Sequence, residues 1–214
     1  MKSYVYFPSC NFSAASPQAA RRIRDYLSQK MAVAGCCRVD KKPYETGHTA
    51  LYVCQACRDT IQNRWDGRLT PENLFVYLLQ DEEFSWPDYS GLKVQVQDCW
   101  RDREHPEVFD AVRQALLRMH ITVSEMEENR EKSVFCGNLH MEPRKRDNQA
   151  LLEKYPGIPL YQMPEEVQTT LMREQVEKYT ESLIVAACNR CVKGITMGGG
   201  KGVHLLELAT GTFI

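Results

Sequence analysis

Nine cysteines repeat one pattern twice in 214 residues, and that pattern limits what the chain can fold around. The first copy is Cys10, then the adjacent pair Cys36 and Cys37, then Cys54-Gln55-Ala56-Cys57. The second is Cys99, then Cys136 followed by Gly137, then Cys188-Asn189-Arg190-Cys191. No cysteine stands outside the two sets, and an odd count cannot close a complete disulfide framework. Thiols ordered as Cys, long gap, Cys or Cys-Cys, long gap, Cys-x-x-Cys suit a metal ion or an iron–sulfur cluster better than disulfides.

The rest of the composition narrows the setting. Hydrophobic residues make up 43% and charged residues 26% of the chain, as in ordinary globular proteins. A net charge of −1 gives no electrostatic footprint for nucleic acid or an anionic membrane. The run Met1 to Pro8 is too short for a signal peptide. No apolar stretch reaches the ~20 residues of a membrane span. These features predict a cytoplasmic protein, a setting in which thiols stay reduced and can bind metal.

The cysteines sit at the ends of β-prone runs. Ser3 to Phe7 reads as a strand leading to Cys10. Ser16-Pro17 opens a helix to about Lys30, with Ala20, Ile23, Leu27 and Met31 on one face. Ala32 to Ala34 leads to Cys36 and Cys37, and Ala50 to Val53 to Cys54. The second half repeats the steps. Val94 to Gln97 ends at Asp98-Cys99, Pro106 opens a helix to about Met119, and Ile121 to Val123 follows. Ser133 to Phe135 leads to Cys136-Gly137, and Leu183 to Ala187 to Cys188. A helix is expected from about Pro164 to Thr180, inside a long insert between Cys136 and Cys188. Residues Leu74 to Leu79 read as a short helix and 81–91 as a linker, dividing the chain into cysteine-rich domains at 1–90 and 91–214. The expectation is an α/β fold of two pseudo-twofold-related βαβ halves with small parallel sheets. The ligand sites should lie beyond the carboxyl ends of the strands.

With Cys10, Cys36-Cys37 and Cys54-x-x-Cys57 in hand, the chain resembles the tandem cysteine-rich CCG-domain family. That family includes the B subunit of heterodisulfide reductase and related subunits of glycolate, lactate and glycerol-3-phosphate oxidoreductases. The resemblance covers nearly the whole chain. It implies a noncubane [4Fe–4S] cluster bound by Cys10, Cys36, Cys37, Cys54 and Cys57, with Cys10, Cys36 and Cys37 closest to catalysis. It implies a second site on Cys99, Cys136, Cys188 and Cys191. It further implies an iron–sulfur oxidoreductase component that moves electrons to or from a thiol/disulfide or small organic substrate. No flavin or nicotinamide motif is present, so the electron donor would be a partner protein, a flavoprotein or ferredoxin-like subunit. The alternative is a non-catalytic electron-transfer or zinc-stabilised scaffold subunit. Arg38 stands where the first copy of the pattern has Gly. Phe135 stands where the second has the first Cys of its pair, which leaves four thiols there. Four suit a cubane [4Fe–4S] cluster or a tetrahedral Zn²⁺.

Other residues carry weaker signals. Arg38 could hold an anionic substrate or pair with Asp40 on the surface. Asp98 could accept from neighbouring backbone or serve only as a turn residue. His140 could ligate or relay a proton, or sit solvated in its loop; His48 and His105 are read in the same way. Gly198-Gly199-Gly200-Lys201-Gly202 lacks phosphate-loop spacing. The basic runs Arg21-Arg22 and Arg144-Lys145-Arg146 read as solvated faces.

Overall fold

The computed structural model describes residues 3–213; Met1 and Lys2, which begin the N-terminal run weighed above, lie outside them. The first half runs β1 (Ser3–Phe7), α1 (Cys10–Ala15), α2 (Pro17–Ser28), β2 (Ala32–Val33), β3 (His48–Tyr52), α3 (Gln55–Arg64), β4 (Leu69–Asn73) and α4 (Leu74–Gln80). The second runs β5 (Lys93–Val96), α5 (Pro106–Arg118), β6 (Thr122–Ser124), α6 (Arg146–Glu153), α7 (Glu165–Val176), β7 (Ile184–Ala186), α8 (Asn189–Met197), β8 (Gly202–His204) and α9 (Leu205–Ala209). Short 3₁₀ turns cover 100–102, 130–132 and 160–162.

Each half builds a four-stranded sheet in which every pairing is parallel. The orders are β2-β1-β3-β4 and β6-β5-β7-β8, the same pattern twice. The expected α/β class of two βαβ halves is therefore present. Parallel strands need covering on both faces, and the period-2 alternation of side chains divides the core accordingly. In the central strands Tyr6, Leu51, Val96 and Val185 point to one apolar cluster shared by both halves. Helices α2, α4, α5 and α9 fill it with Ile23, Leu27, Phe75, Val112, Leu116 and Leu206. Their neighbours Val5, Phe7, Ala50 and Tyr52 point to the opposite face of the first sheet, under α3. Ile184 and Ala186 point to the opposite face of the second, under α7 and α8. Between the halves, the exposed side chain of Arg22 on α2 donates to the carbonyls of Thr210 (2.7 Å) and Gly211 (3.0 Å) after α9.

Local signals explain most boundaries. Pro17 and Pro106 occupy the first helical positions of α2 and α5, where a missing N–H costs nothing. Ser9 caps α1 by accepting from the Phe12 amide at 3.2 Å, and Asn73 caps α4 through Phe75 at 2.9 Å. The run 198–202 turns into β8 and then directly into α9. Residues 81–92 contain no helix or strand.

Candidate metal centres at the strand ends

The parallel topology carries all nine cysteines to the carboxyl ends of strands, none of them in a disulfide. In the second half the chain after β5 reaches Cys99, the loop after β6 carries Cys136, and β7 ends at Cys188, the cap of α8. Cys191 lies one turn into α8. The four sulfurs all lie within 4.8 Å of one another and all four residues are buried. Cys99 and Cys136 are 3.4 Å apart, Cys136 and Cys188 4.0 Å. Cys188 is held well below the ordinary thiol range, first by its contact with Cys136 and then by Cys191 and Cys99 beside it. Burial pushes Cys99 and Cys191 well up, and the Cys188 contact raises Cys136. Such crowding allows one thiolate among three thiols; a cation at the centre would let all four ionise. This donor set therefore fits a thiolate-bound metal.

Two glycines make the tetrad possible. Gly137 has φ +54°, and a Cβ there would stand 1.8 Å from the Arg190 carbonyl oxygen. A Cβ at Gly194 would stand 2.5 Å from Gly137 Cα and 2.8 Å from the Phe135 ring. The Cys136 loop thus lies directly on the backbone of α8. Phe135 is 1% exposed and belongs to the apolar cluster around the four cysteines. Its carbonyl accepts from the Trp100 amide at 3.0 Å and from the Cys191 thiol at 3.7 Å.

In the first half, Cys10 begins α1 beyond β1, Cys36 and Cys37 follow β2, and Cys54 caps α3 beyond β3, with Cys57 in its first turn. Strands β2 and β3 flank β1, so the three segments are neighbours. Cys37 and Cys54 are each lowered to about 6, first by the neighbouring Cys57 thiol. Cys57 is raised by the same contacts. Cys10 is raised by partial desolvation and then by Cys36. Cys57 thus lies near both Cys37 and Cys54, and Cys36 near Cys10. Among the described residues, only the second-half tetrad brings its ligand atoms within 4.8 Å of one another. Cys10 is exposed and Cys36 and Cys54 are half-buried, so this set is the more open. Its Cys36-Cys37 loop is pinned by Asp40, which accepts from the Gly35 and Lys42 amides (2.7 and 2.8 Å) and the Tyr44 hydroxyl (3.0 Å). Arg64 donates to the carbonyls of Cys37 and Asp40.

The two sets share a cleft of about 1070 Å³, with Cys54 on its first-half wall and Cys188 on its second-half wall. Behind it Arg58 and Gln55 of α3 hold Asp102, just after Cys99, at 2.6 and 2.7 Å. Arg101 pairs with Asp59.

The remaining candidates divide. Arg38 makes no pair with Asp40; it is exposed and lines the cleft. Asp98 is a structural acceptor, gripped by Arg113 (2.8 and 2.7 Å) and the Arg130 amide (2.7 Å). His140 stacks on Trp100 with centroids 4.0 Å apart and lies 3.5 Å from Glu142. His48 lies 3.1 Å from the Glu45 carbonyl, and His105 the same distance from Glu107. Arg144 pairs with Glu128 and Lys145 with Glu177. Sequence reasoning passed over Gln55, Asn189 and His204, all on the cleft wall. His204 caps α9 through its ring, 3.1 Å from the Leu206 amide, while Glu207 accepts from its backbone N–H. A cap three places before a Glu at the start of a leucine-rich helix is capping-box spacing, but histidine is not the usual residue for it. Set against known protein families, characterised proteins and solved structures, the chain finds no match.

Proposed function

We propose that this chain is a metal- and iron–sulfur-binding component of an oxidoreductase, similar in design to the B subunit of heterodisulfide reductase. One observation carries the reading: two cysteine sets at equivalent strand ends open onto a single cleft, through Cys54 on one side and Cys188 on the other.

The two sets take different roles. Around one tetrahedral Zn²⁺, with Zn–S near 2.3 Å, sulfurs stand about 3.8 Å apart. The second-half sulfurs, none more than 4.8 Å from another, suit that spacing. In a cubane cluster each thiolate binds its own iron, so the sulfurs stand further apart. Cys99, Cys136, Cys188 and Cys191 therefore hold a single zinc ion that stabilises the second half. Cys10, Cys36, Cys37, Cys54 and Cys57 hold the [4Fe–4S] cluster of noncubane type, which supplies electron storage and an iron open to a substrate sulfur. Around it this chain's own residues position and enclose. Asp40 and Arg64 fix the Cys36-Cys37 loop, α3 fixes Cys54, and the cleft admits the substrate. Reduction of a disulfide there consumes two electrons from a partner protein and two protons, and releases two thiols.

A zinc-stabilised scaffold is the second reading, favoured by the compact, buried second-half tetrad beside a looser first set. Anaerobic protein, its reduced and oxidised EPR spectra, and its rate of disulfide reduction by a reduced viologen dye separate the two. The redox reading requires a cluster signal lost in Cys37→Ser together with the activity. A protein that carries zinc but neither iron nor sulfide, and reduces nothing, is the scaffold.

A further inference from the structure

The wall of the cleft is unlike the rest of the protein. The chain carries a net charge of −1, yet Arg38, Arg101, Arg190 and Lys193 line the cleft against one acid, Glu207. Glu207 is already engaged by the His204 amide, at 3.0 Å. Arg101 is paired with Asp59, and Arg190 donates only to the neutral side chain of Asn138, at 2.9 Å. Arg38 and Lys193 are exposed and have no acidic partner among the described residues.

A second observation is independent of charge. Buried polar side-chain atoms normally have partners, and each exception needs a reason. Three of the exceptions are on this wall: Gln55 Oε1, Asn189 Nδ2 and His204 Nε2. Gln55 and His204 are each 1% exposed. The Gln55 orientation is fixed, because its Nε2 donates to Asp102 at 2.7 Å. His204 Nδ1 accepts from Leu206, which leaves the proton on Nε2; that atom lies near the Ala187 carbonyl without a hydrogen bond of ordinary geometry. Gln55 and Asn189 also occupy the same place in the two repeats, directly after the first cysteine of each Cys-x-x-Cys.

We infer that the cleft is a binding site for a small organic dianion, whose acidic groups Arg38, Lys193 and Arg190 hold while the Asn189 amide N–H donates to one of its oxygens. This rests on the proposed redox reading only for what happens to the ligand afterwards. The cations also offset thiolate charge, but that role would not leave the Asn189 amide N–H unpartnered on the same wall.

Three probes of one length test it on the full chain: 3,3′-dithiodipropionate, a dianionic disulfide; suberate, the same dianion with carbon in place of sulfur; and bis(2-hydroxyethyl) disulfide, which is neutral. Binding is followed by Trp100 fluorescence, since that ring is on the cleft wall, and by calorimetry. Both dianions should bind at least about tenfold more tightly than the neutral disulfide, a difference of about 1.4 kcal/mol, and more weakly as salt rises. Arg38→Gln with Lys193→Gln, both surface changes, should remove that preference. Asn189→Leu should weaken the dianions without restoring the neutral probe. Equal affinity for charged and neutral probes, or a double variant that binds as wild type does, overturns the inference. If suberate binds but dithiodipropionate is never reduced, the dianion site stands and the redox reading falls.

Discussion

Gly137 and Arg190 meet at a distance that no other residue at 137 would allow: a Cβ there falls 1.8 Å from the Arg190 carbonyl oxygen. The glycine after Cys136 is therefore a packing requirement of the metal site, combined with a left-handed backbone. In the first half no such contact exists, and Arg38 at the matching place has ordinary negative φ. Gly137→Ala should lower stability by about 3 kcal/mol or more and release metal from the second site. Arg38→Gly should leave thermal unfolding nearly unchanged. Chemical denaturation of the two variants, with metal analysis, checks the contrast.

The Arg58–Asp102 pair ties α3 of the first half to the segment after Cys99. Asp102 is 2% exposed, and the contact is 2.6 Å. Asp102→Ala leaves a buried guanidinium without its carboxylate and should cost about 3–5 kcal/mol. Replacing both residues by apolar ones of similar volume should cost much less. Urea unfolding of the single and double variants reads the difference.

Arg113 holds Glu125 at 2.6 Å, and this hydrogen bond is the main reason that the Glu125 carboxyl lies below its ordinary range. A depressed carboxyl contributes stability above its unfolded pKa, about 4.3, and loses it as pH falls through the folded value. The stability difference between wild type and Glu125→Gln should be constant from about pH 7 to 5.5 and shrink below about pH 4. A difference that grows on acidification would contradict this.

Phe135 fills the space between the cysteine tetrad and α8. Phe135→Cys removes a ring from a packed cluster and should cost about 2–4 kcal/mol. Zinc should remain bound, because the four existing sulfurs already complete a tetrahedron. Denaturation with zinc analysis measures both.

Much of this architecture is legible in the sequence because the strands end where the cysteines begin. Ser3 to Phe7, Ala50 to Val53 and Leu183 to Ala187 announce themselves as apolar runs, and Pro17 and Pro106 mark their helices. Strand β4 does not, since Leu-Thr-Pro-Glu-Asn lacks alternation and contains Pro71; it is an edge strand, where proline is tolerated. Helix α1 is hidden because Ser9 caps it at a place that also reads as a turn. The members of the second-half tetrad could be named from their order, but its tight closure could not, because it depends on the Gly137–Gly194 contact. The cleft amides were invisible for a simpler reason: Gln and Asn are common polar residues, and only burial without a partner distinguishes Gln55 and Asn189.

The central claim is that the two cysteine sets hold different centres. Anaerobically purified protein, assayed for zinc, iron and acid-labile sulfide and probed by X-ray absorption at both metal edges, tests it most directly. The account predicts one zinc per chain bound by four sulfurs at about 2.3 Å, lost in Cys136→Ser, alongside iron and sulfide lost in Cys37→Ser. Two equivalent iron–sulfur centres without zinc, or zinc alone in both sets, would contradict it.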